Sequence, residues 1–250
     1  MNTQHKHATC QWCGGRIHWD DGDPAWAAAW RHDESNLRHC DHADSLATRR
    51  VRVWYTADTH FGHAMLIEKG HRPWATVQAM NDELIYNWNS RVHPEDWVWV
   101  LGDVAFSGRL SDHLARLHGT KLLVAGNHDT CWKHNRGYTR AVDRYMAAGF
   151  TSVHITGYKM RHTLGMPGPV VNLAHLPYAG AGDHTGRERY TEHRLPDAGV
   201  PLLHGHVHDK WMIRHTRNGT PMINVGVDVW GYAPVAEATL AMLLKEQSND

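Results

Sequence analysis

The chain has 250 residues, with 26 basic side chains, 26 acidic side chains and 23 histidines. This length allows one domain of about 200 residues with a small module beside it. A net charge of zero argues against a protein whose main task is to wrap nucleic acid or to lie on an acidic membrane, because both tasks need a basic excess.

The N-terminal residues favour an intracellular protein. Residues 1–9 are polar and hold no apolar core of a secretory signal. The longest apolar runs, at residues 97–101 and 240–244, are far shorter than the roughly 18 residues that suggest a membrane span. We therefore expect a cytoplasmic location without a membrane partner, in which the cysteines are reduced.

The first 50 residues contain a pattern typical of a small zinc module. The predicted zinc ligands are three thiolates and one imidazole, those of Cys10, Cys13, His32 and Cys40. A Cys₃His set of this kind is a common tetrahedral site for structural zinc. His39 and His42 are rivals to His32, and reduced surface thiols or a redox CxxC pair are the alternatives to zinc. We predict a zinc-knuckle-like module over residues 1–50, whose role the sequence leaves open.

From residue 51 onward, short β-like runs alternate at first with helical patterns. The predicted strands cover residues 51–57, 97–101, 121–125, 151–156, 170–174, 201–203, 211–215, 221–225 and 238–244. Apolar side chains three and four residues apart between Val77 and Val92 predict a helix, and Ser111 is a plausible N-cap for another that runs to residue 118. Strands that first alternate with helices and then follow one another predict an α/β domain with a mixed sheet over residues 51–250.

Polar side chains with metal-binding chemistry follow five of these predicted strands. In chain order the blocks are Asp58-Thr59-His60, Gly102-Asp103, Gly126-Asn127-His128-Asp129, Ala174-His175 and Gly205-His206-Val207-His208. Open α/β sheets gather their sites at the carboxyl ends of strands, and side chains two residues apart in an extended segment point the same way. Carboxylate, amide and imidazole ligands suit a hard or borderline divalent cation. Seven such ligands are too many for one ion, whereas two ions that share a carboxylate use them all.

The order of the five blocks resembles the calcineurin-like metallophosphoesterase superfamily over about residues 52–228. Residues 55–63 and 223–228 are similar to compact bacterial and phage members, although Met65 stands where such members often have a polar residue. The resemblance implies a four-layer α/β/β/α sandwich that holds two metal ions. It also implies the ligands: Asp58, His60 and His208 for one ion, Asn127, His175 and His206 for the other, and Asp103 as the bridge.

A dinuclear centre of this kind predicts the hydrolysis of a phosphate ester. Two ions about 3.5–4 Å apart polarise phosphoryl oxygen atoms and generate a bridging hydroxide that attacks phosphorus. His128, which neither ion requires, is the candidate acid that protonates the leaving oxygen, and Asp129 is expected to orient it. Ligands of these types accept Mn, Fe, Zn, Co or Ni.

A phosphodiester, such as a cyclic or small nucleotide, is the expected substrate. A DNA or RNA nuclease on the same fold is one alternative, although a balanced charge predicts little of the salt-dependent binding that nucleases show. A non-catalytic binding scaffold is another, and the complete ligand set argues against it. Within the loop over residues 179–193, Arg187 and Arg189 could clamp a phosphate or be solvated. His63, which follows the first block, could contact the substrate or support a ligand.

Overall fold

The chain divides into two units, residues 1–52 and 53–250. The computed structural model describes residues 7–9, 16–20, 29–32, 51–106, 110–156, 158–165, 168–180 and 187–247. No helix within these ranges is long and apolar enough to cross a membrane.

The first unit contains a three-stranded antiparallel sheet. Its strands are β1 (His7–Thr9), β2 (Arg16–Asp20) and β3 (Ala29–His32), and β2 lies in the middle. The Ile17 side chain in β2 is fully buried. Of the predicted zinc ligands, His32 is the last residue of β3, whereas Cys10, Cys13 and Cys40 lie outside the described residues. The zinc site therefore stays a prediction.

The second unit is built on two five-stranded mixed sheets. The strands of the first sheet are β4 (Val53–Thr56), β5 (Trp97–Val100), β6 (Thr120–Val124), β7 (Phe150–His154) and β13 (Val235–Ala236). The strands of the second sheet are β8 (Tyr158–Thr163), β9 (Val170–Ala174), β10 (Leu202–His204), β11 (Ile213–His215) and β12 (Pro221–Asn224).

Parallel pairing dominates the middle of both sheets. The first sheet has the order β13-β4-β5-β6-β7, in which only β13 pairs antiparallel. The second has the order β11-β12-β10-β9-β8, in which β12, β10 and β9 are parallel and the two edge strands are antiparallel. The described helices are α1 (Met65–Glu68), α2 (Val77–Arg91), α3 (Leu110–Leu114), α4 (Tyr138–Ala148) and α5 (Glu237–Glu246).

Alternation along the strands gives the first sheet a separate core on each face. Tyr55 and Trp99 face the second sheet, while Trp54 and Val98 face the helices. On the helix side, α2 contributes the buried side chains of Met80, Leu84, Ile85 and Trp88. The α/β class with mixed sheets that the sequence predicts is therefore confirmed.

The outer face of the second sheet is packed differently from the helix-covered face of the first. Leu202 and Met222 contact Tyr178, Leu195 and Trp211, which come from connecting segments. In the described part of the chain, no α-helix joins this cluster. The second outer helical layer that the resemblance implies is thus not seen among the described elements.

The predicted strand over residues 238–244 is wrong, because these residues belong to α5. Leu240 and Leu244 lie one helical turn apart and are both buried in the core between the sheets. Alanine and leucine, which are frequent in this segment, also have high helix propensity. Ser111 lies inside α3 rather than at its N-cap. The elements α1, α4, β8, β13 and β1–β3 have no counterpart among the predicted ones.

Candidate metal centre

The predicted ligands lie where strands of the two sheets end side by side. Asp58 and His60 follow β4, and Asp103 follows β5. From the second sheet, His206 follows β10, and its backbone N–H donates to Asp58 Oδ2 at 2.8 Å. Strand ends from both sheets thus bring residues 148 positions apart into contact.

Two triads of candidate ligands result from this arrangement. Asp58, His60 and His208 form one, and Asp103, His175 and His206 form the other. Within each triad the ligand atoms all lie within 4.8 Å of one another. The two triads fit a dinuclear metal site.

The Asp103 carboxylate lies between the triads. Its Oδ2 is 3.6 Å from His60 Nε2 in the first triad and 3.3 Å from His175 Nε2 in the second. Its Oδ1 accepts a hydrogen bond from the backbone N–H of His128 at 2.9 Å. Asn127 Oδ1 lies 3.0 Å from His175 Nε2. The structure thus brings together all seven side chains that the sequence predicts as ligands.

Five of these ligands have a left-handed backbone, which is uncommon for residues other than glycine. Asp58, His60, Asp103, His206 and His208 have φ between 48° and 72°. Each such conformation costs about 1–3 kcal/mol and persists where surrounding contacts enforce it, often at functional sites. The prediction that Asp58 and His60 converge because their segment is extended is therefore wrong. Their side chains converge because the chain turns sharply at the strand end.

Glycines beside the ligands leave room for close backbone approach. A Cβ atom on Gly126 would lie 2.2 Å from Asp103 Oδ1, and one on Gly205 would lie 2.6 Å from Asp58 Oδ2. Of Gly102, Gly126 and Gly205, only Gly102 has the left-handed backbone that tight turns favour, with φ of 91°. The other two glycines are needed for space rather than for conformation.

Hydrogen bonds at Nδ1 orient three of the histidine ligands. His175 Nδ1 lies 2.7 Å from the carbonyl oxygen of Leu101, and His208 Nδ1 lies 3.2 Å from Asp228 Oδ2. His60 Nδ1 lies 3.2 Å from His63 Nδ1, which places His63 behind a ligand. A partner on one ring nitrogen leaves Nε2 for a metal, as is usual for metal-binding histidines.

The carboxylates at the centre favour a positive charge on the His175 ring. Burial opposes protonation of this ring, but the Asp103 and Asp58 carboxylates outweigh burial and raise its pKa to about 9. For Asp58 the effect of burial is the opposite, since it disfavours the charged carboxylate and raises the pKa to about 6, against the effect of His208. Positive charge between the carboxylates therefore stabilises the centre, and a divalent cation would supply it.

Two ligand atoms of the first triad are buried without a hydrogen-bond partner. They are Asp58 Oδ1 and His60 Nε2. Buried polar atoms are nearly always paired, and each exception calls for an explanation such as an ion. A cation held by this triad would contact both atoms, so the residues present fit a metal ion.

Two mycobacteriophage proteins are similar to this chain over most of their length. The gene 66 protein of Mycobacterium phage D29 is 36% identical over 190 residues, which are 71% of this chain and 88% of the phage protein. The gene 66 protein of Mycobacterium phage L5 is 34% identical over 193 residues, which are 72% of this chain and 87% of that protein. The chain belongs to this gene 66 family.

The chain shares its fold with a solved bacterial structure. A protein of unknown function from Aquifex aeolicus, AQ665, superposes with a TM-score of 0.56 and 23% identity, over 78% of this chain and 100% of that one. No family model matches the chain.

A buried arginine supports the first triad of this gene 66 family member. Arg72 donates to both oxygens of Asp228, at 2.9 and 3.1 Å, and to the carbonyl oxygens of Asp58 and Thr59 at 2.5 and 2.9 Å. Burial alone would raise the pKa of Asp228, but hydrogen bonds and charge from His208 and Arg72 hold it well below the usual range. Arg72 thus connects the Asp58 turn to the carboxylate that orients His208.

Removing the Arg72 charge should destabilise the folded protein strongly. In Arg72→Met, Asp228 remains buried without its cation, which costs about 3–5 kcal/mol. The matched change is Arg116→Met, because Arg116 pairs with Asp82 at 2.8 Å with both side chains about half exposed, and such a pair contributes about 0–1 kcal/mol. Urea unfolding of both variants in the presence of EDTA measures the difference. Equal losses of unfolding free energy would show that Arg72 is not an essential partner of Asp228.

Asp129 has a different role from the predicted one. Its carboxylate accepts hydrogen bonds from the backbone N–H groups of Gly126, Asp103 and Val104 at 2.8–3.0 Å and from the Tyr145 hydroxyl at 3.1 Å. These four donors occupy both oxygens, so Asp129 does not orient the His128 ring. It instead joins the turn after β5 to the turn after β6, and thereby positions Asp103.

The His128 ring lies beside the first triad and is exposed. Its centroid is 5.4 Å from that of His60. This position leaves His128 outside both triads, as the sequence predicts for an acid rather than a ligand.

The segment after residue 186 contributes an aromatic contact to the second triad. The Tyr190 ring lies 5.8 Å from that of His206. The Tyr190 backbone is left-handed. Arg189 places its guanidinium 5.4 Å from the Tyr190 ring centroid, and Arg187 is exposed. The phosphate clamp by Arg187 and Arg189 stays a prediction.

Sequence patterns assign no role to Arg72, Asp228 or Tyr190, although Asp228 ends the segment 223–228 that resembles phage members and Tyr190 lies in the loop over residues 179–193. Asp228 follows β12, so the strand-end rule that located the candidate ligands could also have located this partner of His208. Arg72 and Tyr190 belong to no local pattern, since their partners lie far away in the chain.

Proposed function

We propose that the second unit is a dinuclear metal-dependent phosphoesterase of the calcineurin-like type, which hydrolyses phosphodiesters. The observation that carries this proposal is the position of Asp103, with one oxygen within 3.6 Å of a histidine nitrogen from each triad. A carboxylate shared in this way is suited to hold two ions as a pair. The proposed fold is the α/β/β/α sandwich of that superfamily, in which the described residues place connecting segments rather than helices on the outer face of the second sheet.

The ligand chemistry supports a first-row divalent metal. Asp58, His60 and His208 would hold one ion, while His175, His206 and Asn127 would hold the other, with Asp103 between them. Imidazole, carboxylate and amide donors without thiolate suit Mn, Fe, Zn, Co or Ni. When bound, a pair of such ions polarises phosphoryl oxygens and lowers the pKa of a water molecule.

The protein residues would position and protonate the substrate. The backbone N–H of His128 donates to Asp103 Oδ1 at 2.9 Å. This hydrogen bond fixes the His128 backbone, so that the exposed ring lies beside the centre. A ring in this place could donate a proton to the leaving oxygen, a contribution of about 10²- to 10⁴-fold. Asp129 holds the Asp103 and Gly126 backbones in place, so it is a positioning residue.

A diester is favoured over a monoester by the charge near the centre. The buried Arg72 guanidinium is already bound to Asp228 and to two backbone carbonyls. It is therefore not free to bind the second negative charge of a phosphomonoester. A singly charged phosphodiester needs less compensation from the protein. We propose a small phosphodiester or nucleotide as the substrate.

Hydrolysis of bis-p-nitrophenyl phosphate tests the proposed function. We expect turnover with Mn²⁺, loss of turnover after dialysis against EDTA, and recovery when Mn²⁺ is added back, because the proposed hydrolysis requires the bound ions. Asp112→Ala, which removes an exposed carboxylate of α3, is the control variant and should behave as the unmodified protein. Absence of turnover with every phosphodiester and metal tried would contradict the proposal.

A comparison with nucleic acid substrates separates a small-molecule enzyme from a nuclease. The balanced charge predicts that hydrolysis of a small diester changes little between low and moderate salt. Faster cleavage of single-stranded DNA or RNA, with KM rising steeply with salt, would instead assign the site to a nuclease.

A further inference from the structure

We propose that a cavity next to His128 binds the leaving group of the substrate, and that this leaving group is a nucleotide with an aromatic base and a negative charge of its own. The inference rests on the proposed function and adds the substrate class. It is drawn from the side chains that line the cavity and from where the cavity opens.

The cavity has a volume of about 390 Å³ and lies between the turns after β5 and β6 and the helices α3 and α4. Small-molecule sites usually have volumes of about 300–1,000 Å³. The lining includes an aromatic ring, two hydroxyls, an imidazole and a guanidinium, those of Phe106, Ser111, Thr130, His128 and Arg144. Its size therefore suits a group such as a nucleotide.

The cavity borders the metal centre through His128, which lines the cavity and lies beside the first triad. The His128 ring lies 5.4 Å from that of His60, and its backbone N–H is bonded to Asp103. A phosphate held between the triads would have one ester substituent directed toward His128. That substituent is the one His128 would protonate, so the cavity lies on the leaving-group side.

Phe106 gives the cavity an aromatic surface. One side of its ring stacks on His63, with centroids 3.9 Å apart and planes at 6°, and its side chain is still 52% exposed. His63 is in turn hydrogen-bonded to His60, so the stacked pair is held on the metal centre. A fixed ring with exposed surface is the kind of platform on which a nucleobase stacks.

Arg144 gives the cavity a positive charge. Its side chain is exposed on α4, and no carboxylate in the described ranges forms an ion pair with it. Arginine recognises phosphate through two parallel hydrogen bonds. The Ser111 and Thr130 hydroxyls could bond to a sugar or base edge. An aromatic platform with a free guanidinium fits a nucleotide better than an uncharged alcohol.

Binding of AMP to the Mn²⁺-loaded full chain tests this inference by isothermal titration calorimetry. Inorganic phosphate is titrated in parallel, since it reports on the metal centre alone. We expect Arg144→Ala and Phe106→Ala each to lower the ratio of AMP to phosphate affinity by about ten-fold or more, the effect of losing a charged hydrogen bond or a stacking partner. Arg140→Ala removes an exposed arginine one turn earlier on α4 and should leave the ratio within about two-fold, as surface changes usually do.

Two results separate this inference from the proposed function. An unchanged ratio in both cavity variants would overturn the nucleotide pocket, even in a protein that hydrolyses phosphodiesters. AMP binding that depends on Arg144 and Phe106, in a protein that hydrolyses no phosphodiester, would keep the pocket and overturn the proposed function.

Discussion

Replacing Asp103 by alanine is expected to empty at least one metal position and to lower phosphodiester turnover by more than about 100-fold. Loss of an outer-shell partner alone costs up to about 100-fold in metal affinity or activity, and Asp103 contacts the ligands directly. Its Oδ2 lies within 3.6 Å of a nitrogen from each triad. Elemental analysis after dialysis, together with turnover of bis-p-nitrophenyl phosphate, measures both effects.

The Asp112→Ala variant is the matched control, because it removes a carboxylate from the surface of α3. It should retain the metal content and the turnover of the unmodified protein. A fully loaded and active Asp103→Ala protein would show that Asp103 does not join the two triads.

Replacing His128 by alanine should lower turnover while the metal content stays the same. The side chain lies outside both triads, and an acid at this place contributes about 10²- to 10⁴-fold. The loss should be larger for an alkyl phosphodiester than for bis-p-nitrophenyl phosphate, because nitrophenolate leaves without needing a proton. Steady-state turnover on both substrates, with elemental analysis of the same samples, measures the effect.

His215→Ala is the control for this experiment, since His215 is an exposed histidine of β11. It should change neither turnover nor metal content. Loss of metal from His128→Ala would refute the acid assignment, and so would an equal loss of turnover on the alkyl and nitrophenyl esters.

The strand-end pattern of the sequence is sufficient to predict that the candidate ligands lie close together. Asp58, Asp103 and His175 each follow a hydrophobic run that forms a parallel strand, and parallel strands end at a common edge. The backbone conformation of the candidate ligands cannot be predicted from this pattern. Left-handed backbones at Asp58 and His60 depend on the turn that tertiary contacts impose.

Long-range partnerships explain what sequence patterns missed. Arg72 and Asp228 are 156 residues apart, and neither carries a neighbouring pattern that indicates the other. Adjacency to His128 in the sequence predicts that Asp129 orients its ring, but it does not determine where the Asp129 carboxylate points. The successive apolar residues of α5 are also typical of a strand. The burial of Leu240 and Leu244, four residues apart, shows the helical spacing in the structure.

A titration of the full chain with Mn²⁺, followed by electron paramagnetic resonance and by turnover of bis-p-nitrophenyl phosphate, tests the dinuclear centre most directly. We predict that the two triads take up two ions, that the spectrum shows spin coupling between them, and that turnover rises until both are bound. Uptake of a single uncoupled ion, or two coupled ions without turnover of any phosphodiester, would contradict the account.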